Sequence, residues 1–389
     1  MNDKLRTAVI GTGIMGSSHA RQFATNAHTT LVAVADTLTE RAEALAKELG
    51  AKAYSDFREM LSENKLDIVI VATPDPYHRG PIEAACQAGV PNIFTEKPLA
   101  TTVEDGEAIM EAVRKAGARI LTNYSNRVNP LDIAAHYFLQ NGLVGEVAYG
   151  DVRLDDNISV PTNLWGSRSR EWAAHSSTAH FLLSHVSDIL RWYLAPAEVE
   201  AVYAISQRRI LGFTPDLYDC YLFFKDAAGG AGAKVHAKAE WAKEMDELVE
   251  FYISLTGSKG SIVYNKLPGF GVTQGLRANV AEDLSLAELQ QHQEALKAKG
   301  LRSRLLRRAS RVDVGEGFKP GFELYLAEQK QPFPNLLDYA VEALVEGSDT
   351  PKSWAGNGSL PWGDEGLKAT KIVAAIIESA EKGKEVEVR

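Results

Sequence analysis

The sequence predicts an α/β protein: a doubly wound parallel sheet at the amino end, followed by an α+β domain with a large, mostly antiparallel sheet. Through the first 125 residues, short β-branched runs alternate with helix-like stretches. Beyond them the apolar runs become longer and partly alternate with polar residues, and glycine-containing turns separate them. The first pattern is typical of buried parallel strands and the second of a sheet with one apolar face. The expected domains are residues 1–124 and 125–389.

The elements of the first domain follow from apolar runs that are nearly continuous, as in strands buried on both faces. Glycines follow several of the helix-like stretches, where a helix end favours a residue with positive φ. The expected strands are Thr7–Ile10, Leu31–Ala35, Ile68–Ala72, Ile93–Thr95 and Arg119–Thr122, and the expected helices are Met15–Asn26, Glu40–Leu49, Phe57–Glu63, Pro81–Ala88 and Glu104–Lys115.

The second domain is expected to contain two helices before its sheet, near Pro130–Gln140 and Ala179–Tyr193, and a further helix that starts near Leu336. Period-two alternation and flanking turns indicate the strands. The expected strands are Glu146–Asp155, Val199–Gln207, Tyr218–Lys225, Lys234–Trp241 and Glu250–Thr256.

One polar segment, Leu284–Leu306, reads as a helix or helix pair that leads into a basic run. The simpler interpretation is a solvated helical insertion, and the alternative is a lid or patch for an anionic ligand or partner. The basic residues are Lys297, Lys299, Arg302, Arg304, Arg307, Arg308 and Arg311.

Composition excludes several classes of protein. Forty-two basic and 51 acidic residues give a net charge of −9, which disfavours non-specific binding to nucleic acid or anionic membranes. Two cysteines, Cys86 and Cys220, cannot form a disulfide framework. The amino terminus lacks a signal-peptide layout and no apolar run approaches a membrane span, so a cytoplasmic location is expected.

A glycine-rich turn joins the first expected strand to the first helix. Gly11 allows a tight turn, Gly13 lets the backbone approach a pyrophosphate, and Gly16 lets the helix pack closely on the strand. Asp36 ends the second strand, 20 residues after Gly16, where a carboxylate can bind an adenosine ribose. The pattern predicts a dinucleotide-binding Rossmann domain. The residues expected to bind the cofactor are Gly11, Gly13, Ile14, Met15, Gly16, Asp36, Thr37, Arg41, Thr73, Pro74, His78, Glu96 and Lys97.

NAD is expected rather than NADP. Asp36 would repel a 2′-phosphate, and Thr37 rather than an arginine follows it. Arg41 lies nearby and weakens this preference.

Further polar motifs lie at the carboxyl ends of later strands. Thr73-Pro74 precede His78, and Glu96-Lys97-Pro98 follow the next predicted strand. The glycine-rich turn and these two motifs follow one another along the chain. Together they resemble the motifs of the glucose–fructose oxidoreductase, inositol dehydrogenase and rhizopine catabolism (Gfo/Idh/MocA) family. The resemblance covers most of the chain except roughly residues 266–330. Its later matches are Asn126-Arg127 with Pro130, Gly142-Leu-Val-Gly145-Glu146-Val147, His185-x-x-Asp188-x-x-Arg191-Trp192, Gly257-Ser-x-Gly260 and Asp364-Glu-Gly-Leu367.

The resemblance implies hydride transfer between a nicotinamide cofactor and a secondary alcohol or ketone of a sugar, cyclitol or glycoside. It also implies that Lys97 touches the reacting oxygen and that His185 is the general acid/base. A base must reach the hydroxyl proton as hydride leaves carbon, and an ammonium group stabilises a developing alkoxide. The residues expected to bind substrate are Lys97, Asn126, Arg127, Trp165, Arg168, Trp172, Phe181 and His185.

One position departs from the family pattern. The family often carries an aspartate four residues before the histidine, and here that residue is Phe181. His180 would point about 140° away from His185 on a regular helix. Asp188, at i+3, could instead reach His185. Phe181 could supply an apolar wall for a sugar ring.

Two alternative functions remain open: a glycosidase of the same family that keeps NAD bound, and a non-enzymatic dinucleotide sensor. Retention of both Lys97 and His185 argues against the sensor. No metal site is expected, because the histidines and cysteines show no ligand spacing. The resemblance also makes a homodimer or homotetramer the expected assembly.

Overall fold

The structure is a computed structural model of the chain. The residues that it describes are 4–166, 168–226, 231–266, 274–309, 318–330, 333, 335–356 and 358–389.

The chain divides into two compact units. Unit 1 contains Met1–Tyr124 together with two carboxyl-terminal segments, Asn335–Trp354 and Ser359–Ala374. Unit 2 contains Ser125–Pro334, Ala355–Gly358 and Ala375–Arg389. Two late segments of the chain that were expected in the second domain therefore pack with the first 124 residues.

Unit 1 is built on a six-stranded parallel sheet, as its alternating strand and helix patterns predict. Ten of its eleven amino-terminal elements match the expected ones closely, and the short strand β3 was not expected. In chain order they are β1 (Leu5–Ile10), α1 (Ile14–Thr25), β2 (Thr29–Ala35), α2 (Thr39–Leu49), β3 (Lys52–Tyr54), α3 (Phe57–Glu63), β4 (Ile68–Val71), α4 (Arg79–Gln87), β5 (Asn92–Thr95), α5 (Val103–Ala116) and β6 (Arg119–Thr122).

The strand order of this sheet is β3-β2-β1-β4-β5-β6. Strand β4 is buried along its whole length, as are the last four residues of β1, which is why both read as continuous apolar runs. The order reverses between β1 and β4, and open sheets of this kind bind ligands at the carboxyl ends of strands beside such a reversal.

The second sheet belongs to unit 2 and, within the described part of the chain, has ten strands in the order β14-β15-β13-β12-β11-β7-β10-β9-β8-β16. Only β7 and β10 pair in parallel among its described strand pairs. In chain order the elements of unit 2 up to β15 are α6 (Pro130–Gln140), β7 (Val147–Asn157), α7 (Ser159–Thr162), α8 (Arg168–His175), α9 (Ser184–Leu194), β8 (Glu198–Gln207), β9 (Leu217–Lys225), β10 (Ala231–Lys243), β11 (Val249–Gly257), β12 (Ser261–Asn265), β13 (Gly275–Asn279), α10 (Leu286–Ala298), β14 (Arg304–Ala309) and β15 (Phe318–Tyr325).

Three elements follow: α11 (Leu336–Glu346), α12 (Glu365–Lys382) and β16 (Val386–Glu387). Helix α11 begins where a helix was expected. The segment between α11 and α12 covers the outer edge of β6: Leu121 bridges Trp362, and the Gly363 N–H donates to the Ile120 carbonyl at 2.9 Å. The Arg119 guanidinium lies 4.0 Å from the centre of the Trp362 ring. The β6 edge is therefore paired within unit 1.

The ten-stranded sheet has one buried face and one open face. Along β9, Tyr218, Cys220 and Leu222 are buried, while Tyr221 is exposed. Four neighbouring strands place Tyr203, Tyr221, His236 and Asp151 side by side on the open face. The alternating pattern predicted this one-sided sheet.

Leu284–Leu306 was expected to form a polar helix or helix pair. The structure shows that this prediction is wrong for the second half of the segment. Helix α10 ends at Ala298, and the second half continues into strand β14, which pairs with β15. A neighbouring strand supplies backbone partners that outweigh local helix propensity. Of the basic run, Arg311 lies outside the described residues.

No helix in the described part of the chain is long and apolar enough to cross a membrane. Among the described residues there is also no group of three or more histidine, cysteine or acidic side chains placed to hold a metal ion. Cys86 and Cys220 are both buried free thiols.

Candidate active site

Two glycines of the turn between β1 and α1 are required by close packing. Gly11 has φ of +90°, and a Cβ atom there would lie 2.5 Å from the Ala72 carbonyl oxygen. A Cβ atom at Gly16 would lie 1.8 Å from the Gly11 carbonyl oxygen. Any side chain at either position would force the turn away from β4 or from α1.

Gly13 is different, because a Cβ atom there would meet nothing within 4 Å. Helix α1 begins beside it with no side-chain cap and no acidic residue in its first turn. Ile14 and Met15 are about half exposed, at 54% and 46%. The free N–H groups and positive end of α1 therefore face open space, which fits the pyrophosphate of a dinucleotide.

Asp36 follows β2 and binds the glycine-rich turn directly. Its carboxylate accepts hydrogen bonds from the Thr12 N–H at 2.7 Å, the Thr12 hydroxyl at 2.9 Å and the Leu38 N–H at 2.8 Å. An ionised carboxylate has about four acceptor positions, so capacity remains for a ribose hydroxyl. Thr37 and Arg41 are exposed beside it. These residues fit the adenosine half of NAD.

His78 is buried and connects two loops at the carboxyl edge of the sheet. Its Nε2 atom lies 2.9 Å from the Thr73 carbonyl oxygen, and its Nδ1 atom lies 2.8 Å from that of Pro98. Pro74 and the following turn complete the first loop. The imidazole therefore fixes the segment after Lys97, and its expected contact with cofactor stays a prediction.

Glu96 lies just beyond β5 in a buried polar cluster. One carboxylate oxygen, Oε1, accepts hydrogen bonds from His19 Nε2 at 2.6 Å and Asn123 Nδ2 at 2.8 Å. Burial alone would raise the pKa of Glu96, but the hydrogen bond and charge of His19, the amide of Asn123 and the charge of Lys97 lower the pKa to about 2. Glu96 is therefore ionised beside Lys97, whose side chain is itself largely buried.

Sequence reasoning missed Thr12, His19 and Asn123. Asn123 directly follows β6, so its position at the same sheet edge as Lys97 could have been inferred from the strand pattern. His19 lies one turn beyond Gly16 on the buried face of α1. Neither its type nor its spacing distinguishes it from an ordinary core histidine.

In unit 2, His185 lies in the first turn of α9, directly after a π-helical turn formed by Ala179–Leu183. The expected angle of about 140° between His180 and His185 assumed a regular α-helix, which the chain does not form at this junction. Hydrogen bonds in a π-turn join residues five apart, so such residues lie more nearly above one another. The Nδ1 atom of His180 lies 2.9 Å from the Ser177 hydroxyl.

Asp188 of α9 is held by Arg127, from the turn before α6. The Arg127 Nε and Nη2 atoms donate to the two carboxylate oxygens at 3.0 and 2.5 Å. Both side chains are at most 3% exposed, and Trp192 lies beside the guanidinium. The ion pair ties α9 to the start of α6. The substrate role expected for Arg127 and the His185 contact expected for Asp188 stay predictions.

Three aromatic residues expected to bind substrate lie together. The ring centres of Trp165 and Trp172 are 4.2 Å apart, and the ring of Phe181 lies 5.0 Å from that of Trp172. Trp241, near the end of β10, joins them at 5.3 Å from Trp172 and donates its N–H to Asp156. Sequence reasoning missed Trp241, which follows an otherwise ordinary strand pattern.

The remaining candidates lie at the surface or are half-buried. Arg168 is exposed at the start of α8, and Asn126 is half-buried in the turn before α6. Nothing in their contacts assigns a chemical role.

Unit 1, with its parallel sheet, its glycine-rich turn and its open α1 terminus, has the architecture of a dinucleotide-binding oxidoreductase domain. Residues 5–124 match the model of the oxidoreductase family with an NAD-binding Rossmann fold. The match lies within unit 1 and covers about a third of the chain.

Its relatives include two dehydrogenases named for inositol. An inositol 2-dehydrogenase from Rubrobacter xylanophilus is 25% identical over 285 residues, which cover 72% of this chain and 76% of that relative. A scyllo-inositol 2-dehydrogenase (NAD(+)) from Bacillus subtilis is 33% identical over 205 residues, covering 52% of this chain and 57% of the relative.

The fold extends over the whole length of solved relatives. A levoglucosan dehydrogenase in complex with NADH and levoglucosan superposes with a TM-score of 0.74 at 22% identity, covering 99% of this chain and 100% of that one. At that identity the likeness establishes the fold alone.

Proposed function

We propose that the chain catalyses the NAD-dependent oxidation of a secondary alcohol of a sugar, cyclitol or glycoside to a ketone, or the reverse reduction. The observation that carries the proposal is the fixed placement of Lys97, at the carboxyl edge of the parallel sheet beside an ionised glutamate. The names of the inositol dehydrogenase relatives support the substrate class.

The glycine-rich turn, the start of α1 and Asp36 would hold the dinucleotide. When bound, NAD supplies the acceptor for a hydride. In this proposal the Lys97 ammonium donates a hydrogen bond to the reacting oxygen and stabilises its developing negative charge. His185 accepts the hydroxyl proton during oxidation and returns it during reduction.

A cofactor-absorbance screen tests the proposal. Purified protein is incubated with NAD and a panel of inositols, levoglucosan, apiose and glycosides, and the appearance of NADH is followed. Turnover on one or more panel members is expected, and Lys97→Ala should abolish most of it. Release of free sugar from a glycoside with no net NADH would favour the NAD-retaining glycosidase. Tight NADH binding with neither activity would favour the sensor.

We also propose that a second copy of the chain covers the open face of the ten-stranded sheet. That face exposes Tyr203, Ile205 and Tyr221 on the adjacent strands β8 and β9, and Tyr149 on β7, which β10 separates from β9. Contiguous exposed apolar side chains of this kind are typical of protein interfaces. His236 lies among them, hydrogen-bonded to Asp151 at 2.9 Å and to Asp219 at 2.5 Å.

A further inference from the structure

The cluster around Glu96 brings three separate segments of unit 1 together. His19 comes from the middle of α1, Glu96 from the end of β5 and Asn123 from the end of β6. His19 and Asn123 are 2% and 4% exposed, and both bind the same carboxylate oxygen. The other oxygen, Oε2, lies 3.4 Å from the Lys97 backbone nitrogen.

This cluster is a costly way to fill a core. Taking a carboxylate out of water costs several kcal/mol, and well-packed apolar residues often replace a buried ionic group without loss of stability. His19 Nδ1 and Asn123 Oδ1 are themselves buried without a hydrogen-bond partner. Each side chain therefore leaves one buried polar atom without a hydrogen bond while its other polar atom binds Glu96. We infer that the cluster does more than fill the core.

We propose that His19 and Asn123 are positioning residues that keep Glu96 ionised against Lys97, so that the carboxylate holds the Lys97 side chain in its ammonium form. An opposite charge at close range favours the charged form of an ionisable group. The inference rests on the proposed role of Lys97, because a lysine that stabilises a developing alkoxide must be an ammonium ion when hydride leaves.

The surroundings of Glu96 keep its carboxyl group ionised. The charged or titratable groups that act on Glu96 are His19, from α1, and Lys97 itself, while Asn123 of the β6 end is neutral. His78 is turned toward the carbonyl oxygens of the segment after Lys97. With the pKa of Glu96 at about 2, its carboxyl group carries no proton at any working pH.

Competitive acetylation of lysines with acetic anhydride tests the proposal without any substrate. Only the neutral amine reacts, so the pH at which the Lys97 peptide becomes labelled, read by mass spectrometry, reports loss of the ammonium proton. Exposed Lys47 of α2 serves as the internal reference. Glu96→Gln should move the Lys97 labelling midpoint to lower pH by roughly one to two units, leaving Lys47 unchanged.

Two substitutions at one position separate positioning from packing. His19→Gln keeps an N–H donor for Glu96 and should retain the wild-type Lys97 labelling curve. His19→Leu removes the donor and should shift the curve in the same direction as Glu96→Gln, by a smaller amount. If Glu96→Gln does not fold, the comparison of His19→Gln with His19→Leu is sufficient to test whether the cluster controls the labelling midpoint of Lys97.

A purely structural cluster gives a different result. If Glu96→Gln and His19→Leu lower the melting temperature but leave Lys97 labelling unchanged, the proposal is overturned. Failure of the proposed function is seen separately, as full turnover by Lys97→Ala or as no turnover on any panel member, and neither result alters the labelling measurement.

Discussion

At the scale of single residues, Lys97 and His185 carry the chemistry of the proposed reaction. Lys97→Ala and His185→Ala should each lower kcat by roughly 10²–10⁴-fold, the range for losing a positioned acid or base. NADH affinity, measured by fluorescence titration, should change little, because the glycine-rich turn and Asp36 are untouched.

The double variant adds a second test of the same roles. If both residues act on one proton transfer, Lys97→Ala/His185→Ala should be far less impaired than the product of the single effects. Near-normal kcat for His185→Ala would remove His185 from the mechanism and leave Lys97 as the candidate base.

Asp36 should control cofactor choice and also the shape of the phosphate-binding turn. Asp36→Ala removes the charge that opposes a 2′-phosphate, so the preference for NAD over NADP should narrow by about tenfold. Because Asp36 also accepts two hydrogen bonds from Thr12, binding of both dinucleotides should weaken. Titration of both at fixed salt measures the two effects. Stronger binding of NADP than NAD by the wild type would contradict the assignment.

Asp132 in α6 should make stability depend on pH. It is fully buried, and burial raises its pKa to about 7 even though the Tyr193 hydroxyl donates to it at 2.5 Å. A raised pKa in the folded state means that folding favours the protonated carboxyl, so its stabilising effect is complete below the unfolded value of about 3.9 and is lost as pH rises toward 7.

Asp132→Asn should remove this dependence while keeping a partner for Tyr193. In urea unfolding, the free energy of unfolding of Asp132→Asn should rise relative to that of the wild type between about pH 5 and pH 8. The increase in this difference should reach up to about 3 kcal/mol. Tyr193→Phe deletes the hydrogen bond that lowers the pKa of Asp132, so the loss of stability should instead extend to higher pH. Parallel curves for Asn variant and wild type would contradict the buried, protonated assignment.

At the scale of elements, the buried pair of Arg127 and Asp188 joins α9 to the start of α6. Asp188→Asn should cost about 3–5 kcal/mol of unfolding free energy, since a buried guanidinium loses its counter-charge. Arg127→Met/Asp188→Leu should recover much of that loss.

If Asp188 also orients His185, the pH profile of kcat should shift in Asp188→Asn and stay shifted in the double variant.

Elements whose pattern is local were predictable from sequence, and those fixed by distant partners were not. Helix α6 follows from its Asn129 cap, Pro130 and an apolar periodicity, and its predicted bounds are confirmed. Strand β14 follows a helix and gains its conformation only from pairing with β15. The π-turn before α9 has no signature in the sequence. His19 meets Glu96 across 77 residues, a contact that no periodicity encodes.

At the scale of the whole molecule, the open sheet face should determine assembly. Tyr221→Arg places a charge in the middle of that face and should shift the protein to a smaller species in sedimentation velocity. Val345→Arg, at an exposed apolar residue of α11, is the matched control and should not. A wild-type monomer at micromolar concentration would contradict the proposed interface.

A ribosome finishes β6 long before it makes the residues that cover the outer edge of that strand. Trp362 follows Thr122 by 240 residues, so at roughly 5–20 residues per second the edge waits some tens of seconds for Trp362 and Gly363. During that time its unpaired N–H and C=O groups form a template for any other strand. A fragment that stops at Tyr124 would keep the template permanently, so the nucleotide-binding unit made alone needs residues 335–374 attached.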